Sequence, residues 1–235
     1  MPWTDKPDSR TSIVVRKTFY KTGVAREFAT RRRHIHNAPR VVSTSANTVE
    51  LEYVPGRILQ AHEYGVLDLM YHVAWKDADT DSPRNKTFVQ DMYWLKPMTR
   101  AMHWDKEYRL PSWVEDFCHQ HKPLMTDKWH GDFCHENIIV TEDGRVSLID
   151  WRPCPLVGDV YYDLAKFWKG LQFEHATQQP RCNTGVYEAW LVYHGYSVDT
   201  VRRLYALIIL SMSGCHHNAV GHSLFEMGVD LLEKF

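Results

Sequence analysis

The sequence predicts an α+β protein in which a small β-rich unit precedes a larger, mainly helical one. Three runs near the start, 12–20, 40–44 and 48–53, have strand-like composition, and a helical stretch at 24–36 separates the first two. Farther along, 137–149 shows the pattern of a β-hairpin, and apolar residues elsewhere recur mostly at helical spacing. With 235 residues, the chain is long enough to bury a core in two lobes.

The composition is that of a soluble globular protein. Hydrophobic residues make up 44% and charged residues 24%, and a net charge of −1 gives no general attraction to nucleic acid or acidic membranes. Five cysteines with no CxxC pair favour reduced thiols over a disulfide framework or a zinc site. The start lacks an apolar signal segment, and no apolar run reaches membrane length. We therefore expect a cytoplasmic protein with no nucleic-acid partner and no membrane insertion.

The β-rich unit is expected to span 1–56. Its helix carries an apolar stripe of Ala25, Phe28 and Ala29, the residues at 45–47 form the turn between the second and third strands, and Pro55-Gly56 ends the unit. The remainder, 57–235, is expected to form the helical unit.

Helical spacing accounts for most of the second unit, and the chain is expected to turn helical from Arg57. The apolar faces are Leu67, Met70, Val73 and Ala74 in one helix and Phe88, Met92 and Leu95 in the next. A capping-box pattern at 112–115 is expected to start a helix that ends near Pro123. Further helices are expected at 163–171, 186–193, 200–212 and 215–232.

The stretch from 129 to 165 carries the chemistry. Asp132 precedes Asn137 by five residues, a hairpin with an Asp143-Gly144 turn follows, and Asp150 comes directly after it. Folding the hairpin brings Asn137 and Asp150 to the same end. Their oxygens suit Mg²⁺, which shares its coordination shell with phosphates, and Asp132 is placed to orient an attacking hydroxyl. Any one of these residues alone is more often a turn or cap residue.

The motifs HGDFCHEN, LIDW and GDVYYDLA together resemble the catalytic core of the aminoglycoside phosphotransferase and choline kinase-like family, within the protein-kinase-like fold. The resemblance is specific over about residues 129 to 170. It implies a two-lobed fold with a reduced β-sheet N-lobe and a mainly helical C-lobe. It also implies that Asp132 is the catalytic base, that Asn137 and Asp150 hold Mg²⁺, and that Asp163 braces the catalytic loop. His130 is expected to be a second loop brace.

The nucleotide side of such a fold holds the phosphates with a strand lysine that pairs with a helix glutamate, and Lys17 and Glu27 fit this arrangement. The stretch LEYVPG resembles the family hinge, in which the Glu52 carbonyl and the Val54 amide would bind the adenine edge of ATP. One departure stands out. Only sixteen residues precede Lys17, and the first glycine is Gly23, so the sequence shows no glycine-rich loop to cover the phosphates.

The sequence thus predicts an ATP- and Mg²⁺-dependent kinase that phosphorylates a hydroxyl of a small molecule, such as an aminoglycoside, an amino alcohol or a sugar-like compound. A compact protein kinase is one alternative. However, the loop reads His-Gly-Asp instead of His-Arg-Asp, and only 12 residues separate Asp150 from Asp163, too few for a long activation segment. A pseudokinase-like binding or regulatory module is the other alternative, favoured by the missing glycine loop.

Overall fold

A computed structural model describes residues 14–18, 24–31, 37–60, 62–81, 85–152, 157–172 and 184–235. The first part of the chain forms a three-stranded antiparallel sheet and one helix. In chain order these are β1 (Val14–Thr18), α1 (Val24–Arg31), β2 (Val41–Thr44) and β3 (Thr48–Glu52), with β3 in the middle of the sheet. Val49 and Leu51 of β3 are buried, as are Ala25 and Phe28 of α1, because one face of the sheet packs on the helix. The three predicted strands and the helix are confirmed over the described residues.

The segment after Pro55-Gly56 differs from the prediction. We expected the chain to turn helical from Arg57, but Arg57–Ile58 forms a short strand, β4, and the first helix begins only at Gly65. The strand pairs antiparallel with β6 (Ile138–Val140), and the N–H of Leu59 donates to the carbonyl of Ile138 at 2.8 Å. This pairing joins segments 80 residues apart in sequence, so local periodicity does not reveal it.

Helices follow with two π-helical interruptions. They are α2 (Gly65–Met70), which continues as a π-helix over Tyr71–Trp75, then α3 (Asn85–Val89), a π-helix over Gln90–Leu95, and α4 (Lys96–Ala101). The predicted face of Phe88, Met92 and Leu95 is only partly right. Phe88 is buried, but Leu95 is 48% exposed, because the wider π turn rotates later residues off a 3.6-residue face.

The next helix, α5 (Ser112–Gln120), starts where it was expected but without the predicted capping box. Pro111 is the N-cap residue, with ψ 148°, and no side chain caps the helix. Ser112 is already the first helical residue, so its hydroxyl is one position too late to cap.

The predicted hairpin at 137–149 is confirmed. After β5 (Met125–Thr126), a 3₁₀ turn at His135–Asn137 leads into β6, which pairs antiparallel with β7 (Val146–Leu148). The two-residue strand β8 (Gly158–Asp159) then pairs with β5 and leads directly into the next helix.

Four helices complete the fold: α6 (Val160–Gln172), α7 (Gly185–Tyr193), α8 (Val198–Ser213) and α9 (Ala219–Leu232). Ser197 and Asn218 cap α8 and α9 with their side chains. Helix α8 packs against α4, α6 and α9, and α6 is buried along nearly its whole length. Within the described residues, no helix is long and apolar enough to cross a membrane.

Two contacts hold the small sheet unit on the hairpin. Phe28 of α1 stacks on Trp151, with ring centroids 4.3 Å apart and planes inclined by 14°. The Asn37 carbonyl accepts hydrogen bonds from the N–H of Leu148 at 3.0 Å and the hydroxyl of Ser147 at 2.9 Å. Because Trp151 directly follows Asp150, the position of α1 is coupled through packing to that carboxylate.

Candidate active site

The loop that carries Asp132 is fixed by a carboxylate beneath it. Asp163, fully buried in the first turn of α6, accepts hydrogen bonds from the backbone N–H of His130 at 2.6 Å and of Gly131 at 2.7 Å. Charge-assisted bonds of this kind are among the stronger hydrogen bonds in proteins. They set the backbone of the residues immediately before Asp132.

His130 supports the same loop from the other side. Its Nε2 lies 3.0 Å from the carbonyl oxygen of Ile149, and its Nδ1 accepts the N–H of Asp132 at 3.2 Å. A carbonyl can only accept and a backbone N–H can only donate, so these contacts require a neutral ring with its proton on Nε2. Both ring nitrogens are thereby occupied, and the ring is placed to hold the loop and not to exchange a proton with a substrate.

Gly131 has a backbone that other residues rarely adopt. Its φ is +82°, and a Cβ added there would lie 2.8 Å from the Cβ of Arg152. The Arg152 N–H in turn donates to the His130 carbonyl at 2.9 Å. The glycine therefore permits both the left-handed turn and the close approach of the chain that follows Asp150.

The Asp132 carboxylate lies between a lysine and an amide. Its Oδ1 is 2.8 Å from Nζ of Lys166, and its Oδ2 accepts from Nδ2 of Asn137 at 3.1 Å. Burial opposes ionisation, but the positive charges of Lys166 and Arg152 hold the pKa of this carboxyl well below its usual range. Burial likewise opposes the charge of Lys166, yet Tyr162 and Asp132 raise its pKa. Asp132 is therefore an ionised carboxylate at neutral pH and can accept hydrogen bonds.

Asn137 and Asp150 meet at one end of the hairpin. The Ile149 N–H donates to the Asn137 carbonyl at 2.9 Å, which places Asp150 one residue beyond this pair. Both side-chain bonds of Asn137 use Nδ2, so Oδ1 is the atom suited to a metal. Asp150 is exposed and has φ +56°.

These two oxygen donors fit Mg²⁺, which needs few protein ligands when phosphates and water supply the rest. Among the described residues, no group of three or more His, Cys, Asp or Glu residues could hold a metal ion. A site of one carboxylate and one amide, completed by phosphate oxygens, does not require such a group.

On the nucleotide side the structure describes only part of what was predicted. Lys17 lies in β1 and Glu27 in α1, but their side chains are outside the described part of the structure. Glu52 ends β3, and its carboxylate is 3.6 Å from Nε of Arg40. Val54 follows in the irregular segment between β3 and β4. No glycine-rich loop is expected in the segment before Lys17, and residues 1–13 of that segment are also outside the described part.

Gly56 holds the expected hinge against the hairpin. A Cβ at this position would lie 2.5 Å from the carbonyl oxygen of Val140 and 2.7 Å from the side chain of Ile139. Only a residue without a side chain allows this approach without displacing β6, so the expected hinge and the hairpin are packed directly on each other.

Next to Asp132 lies a cavity of about 240 Å³. Its wall includes apolar side chains from α8, Ile208 and Met212, and five cationic side chains: Lys96, Arg100, Arg152, Lys166 and Lys169. None of these cations was predicted from the sequence as a site residue. A signal exists for two of them, because Lys166 and Lys169 lie three residues apart in an otherwise apolar stretch that follows Asp163.

Tyr162 lies among these cations. Lys96 Nζ is 3.4 Å from its hydroxyl, and the Arg152 guanidinium lies over its ring at 5.3 Å. Burial alone would raise the pKa of this phenol, but Arg152, Lys166 and Lys96 together lower it to about 8.

We expect one of the 12 tyrosines to ionise near pH 8 in the folded protein, and a Tyr162→Phe variant to lack this step. Tyrosinate absorbance measured against pH checks this. The folded pKa lies below the unfolded value of about 10, so the ionised phenol stabilises the fold fully only above pH 10, and this contribution is lost as the pH falls through 8. If the Tyr162→Phe variant still showed the tyrosine ionisation near pH 8, the assignment of this step to Tyr162 would be wrong.

The small sheet lobe, the helical lobe and the Asp132–Asn137 loop define a protein of the two-lobed kinase-like class. Solved structures share this fold. A choline kinase from Streptococcus pneumoniae has a TM-score of 0.57 at 13% identity, covering 94% of this chain and 86% of that one. An ethanolamine kinase from Plasmodium vivax has a TM-score of 0.55 at 13% identity, with 97% and 77% covered. A putative fructosamine-3-kinase from Thermobifida fusca has a TM-score of 0.54 at 16% identity, with 88% and 80% covered.

The sequence itself identifies the family. The profile of the phosphotransferase enzyme family matches residues 31–199. The chain belongs to this family and is a kinase-type phosphotransferase. A comparison with curated protein sequences gives no significant match.

Proposed function

We propose that the protein transfers the γ-phosphate of ATP to a hydroxyl group of a small molecule and that Mg²⁺ is required. The observation that carries this proposal is Asp132, an ionised carboxylate held on a braced loop beside both a cavity and the Asn137–Asp150 end of the hairpin. Family membership supports phosphotransfer, and the cavity supports a small acceptor.

Asp132 acts on the acceptor hydroxyl. A carboxylate offers about four acceptor positions, and Lys166 and Asn137 use one each, so the hydroxyl can still donate to Asp132. The hydroxyl oxygen forms a bond to the γ-phosphorus, the bond from that phosphorus to the β–γ bridging oxygen breaks, and ADP leaves with the electron pair. The hydroxyl proton passes to Asp132 and then to solvent. Aspartate is a weak base, so its main contribution is to position the hydroxyl.

Two side chains would hold the metal ion, and two backbone groups and one lysine would hold ATP. Oδ1 of Asn137 and the carboxylate of Asp150 would bind Mg²⁺, which neutralises charge on the phosphates when bound. The Glu52 carbonyl and the Val54 amide would bind the adenine edge. Lys17, paired with Glu27, would bind the phosphates, as such lysines do in kinase-like folds.

We expect Asn137→Ala and Asp150→Ala each to weaken binding of ATP in the presence of Mg²⁺ and to change metal-free binding of adenosine little. Calorimetric titrations with and without Mg²⁺ measure both quantities. Asp143→Ala is the matched control, because Asp143 is an exposed carboxylate in the turn at the opposite end of the same hairpin.

The result also separates the proposed function from its alternative. If wild-type protein bound neither ATP nor Mg²⁺-ATP, the phosphotransferase proposal would fail in favour of a binding module. If both variants kept the Mg²⁺ dependence of the wild type, the metal ligands would be wrong although the reaction class could stand.

A further inference from the structure

The cavity beside Asp132 is built by the helical lobe. Its walls come from the Asp132 loop, α4, α6, α8 and the segments that follow Asp150 and α8, and no described side chain of β1, α1 or the hinge contributes. The residues expected to hold ATP lie on β1, α1 and the hinge. The cavity therefore opens on the acceptor side of Asp132, where the molecule that receives the phosphate must bind.

Positive charge dominates this cavity. Among the described residues that line it, five cationic side chains face a single carboxylate, Asp132. Two of the five have a carboxylate nearby: Lys166 Nζ is 2.8 Å from Asp132, and Lys169 Nζ is 4.0 Å from Glu136. Charge on the cavity wall is thus only partly neutralised by the protein.

The other three cations have no carboxylate within ion-pair distance in the part of the chain that the structure describes, although the charge of Asp132 still acts on Arg152. Arg100 donates from Nη1 to the Ser211 carbonyl at 2.7 Å, and Lys96 and Arg152 contact Tyr162. A guanidinium has five N–H donors, so Arg100 and Arg152 retain donors for a ligand. Partly buried cations that lack a carboxylate partner are costly unless a ligand compensates them.

The pKa of Lys96 is affected by the same excess of positive charge. Burial lowers its pKa to about 8, and Arg152 and Arg100 add to this effect, while Tyr162 opposes it. A bound anion would raise that pKa, whereas a bound amine would lower it further. An amine-bearing acceptor would therefore meet like charges on entry.

We propose that the acceptor is a small hydroxyl compound that carries an anionic group, a phosphate or a carboxylate. This inference rests on the proposed function. Arg152, Arg100 and Lys96 bind the anionic group, and the hydroxyl lies at Asp132. A cavity of about 240 Å³ is smaller than the pockets of about 300–1,000 Å³ that hold drug-sized ligands, so it favours a small acceptor over an oligosaccharide such as an aminoglycoside.

A charge series on one carbon skeleton tests the proposal. The probes are glycerol, 3-amino-1,2-propanediol, glycerate and glycerol 3-phosphate, with glucose, glucosamine, gluconate and glucose 6-phosphate as a second series. Binding is measured by calorimetry and by the upward shift of the Tyr162 ionisation, and phosphate transfer is measured by ADP release with Mg²⁺-ATP. We expect the anionic members to bind about 10- to 100-fold more tightly than the neutral ones, and the amines to bind most weakly.

Variants locate the anion site. Arg152→Gln and Lys96→Gln should each weaken binding of the anionic probes by about 10- to 100-fold and leave the neutral probes little affected. Arg152→Lys should restore part of the loss, because it keeps the charge but not the planar fork. Arg145→Gln removes the same charge from the exposed hairpin turn and should change nothing. Added salt should also reduce the affinity for the anionic probes.

The outcomes are distinguishable. Equal or tighter binding of the amines, or anion binding unchanged by both variants, would overturn the inference while the proposed function stands. If anions bound as expected but Mg²⁺-ATP did not bind, the phosphotransferase proposal would fail instead. The wild-type charge series decides without the variants, so a variant that does not fold leaves the test intact.

Discussion

Replacing Asp132 by asparagine is expected to lower kcat by about 10²–10⁴-fold, the usual effect of removing a group that takes or orients a proton. Asparagine preserves the shape, and its amide oxygen can still accept from Lys166. Its NH₂ would then face Nδ2 of Asn137, which is a donor, but that atom keeps its 2.9 Å bond to the Asp132 carbonyl. The charge that orients the acceptor hydroxyl is lost, while the loop keeps its other supports.

Single-turnover measurements of phosphate transfer, with circular dichroism and a thermal melt on the same samples, check this expectation. Asp116→Asn is a suitable control, because Asp116 is an exposed carboxylate on α5. Near wild-type turnover of Asp132→Asn, under conditions where chemistry limits the rate, would show that another group receives the proton.

Among the proposed substitutions, replacing Asp163 by alanine is expected to lower the free energy of unfolding most. The substitution leaves the N–H groups of His130 and Gly131 buried without their acceptor, and an orphaned buried donor costs about 1–3 kcal/mol. Two such groups imply a loss of about 2–6 kcal/mol in the free energy of unfolding, and a melting temperature lower by roughly 5–20 °C for a chain of this size. Because the loop also loses its geometry, kcat should fall as well.

Asp199→Ala provides a matched control for this substitution. Asp199 also lies in the first turn of its helix, so it has the same favourable interaction with the helix dipole, but its side chain is exposed and pairs with Arg203. We expect it to change the free energy of unfolding by less than about 1 kcal/mol. Equal, small shifts in both variants would mean that the Asp163 hydrogen bonds contribute little to holding the loop.

The fold was predictable from sequence where its determinants are local. The hairpin was found because a β-branched run, an Asp143-Gly144 turn and a second run lie within a dozen residues, and β6 and β7 form there. Helices α6 to α9 were predicted from runs of apolar residues, although the start of α9 was placed at 215 and the helix begins at Ala219. Strand β4 was missed because a two-residue strand has no period, and its partner lies on the far side of four helices. The exposure of Leu95 was missed because a π turn leaves no mark on an apolar pattern.

The grouping of the proposed catalytic and metal-binding residues was likewise readable from sequence. Asp132, Asn137 and Asp150 lie on one loop and one hairpin, so their spacing along the chain largely sets their spacing in the fold. The bracing of that loop by Asp163 followed only from the family resemblance, because Asp163 reaches His130 and Gly131 across more than thirty residues.

By itself, then, the sequence determined the two-lobed fold and the phosphotransferase family, since both depend on short motifs with fixed spacing. The carboxylate at the centre of the proposed site, Asp132, is a prediction from the same motifs. Only the tertiary structure decided what surrounds that carboxylate. Lys96 and Arg100 come from α4, Arg152 from the end of the hairpin, and Lys166 from α6, and no pattern along the chain indicates that these elements converge. Charge acts through space, so the sign of a cavity is known only when the fold has brought its walls together.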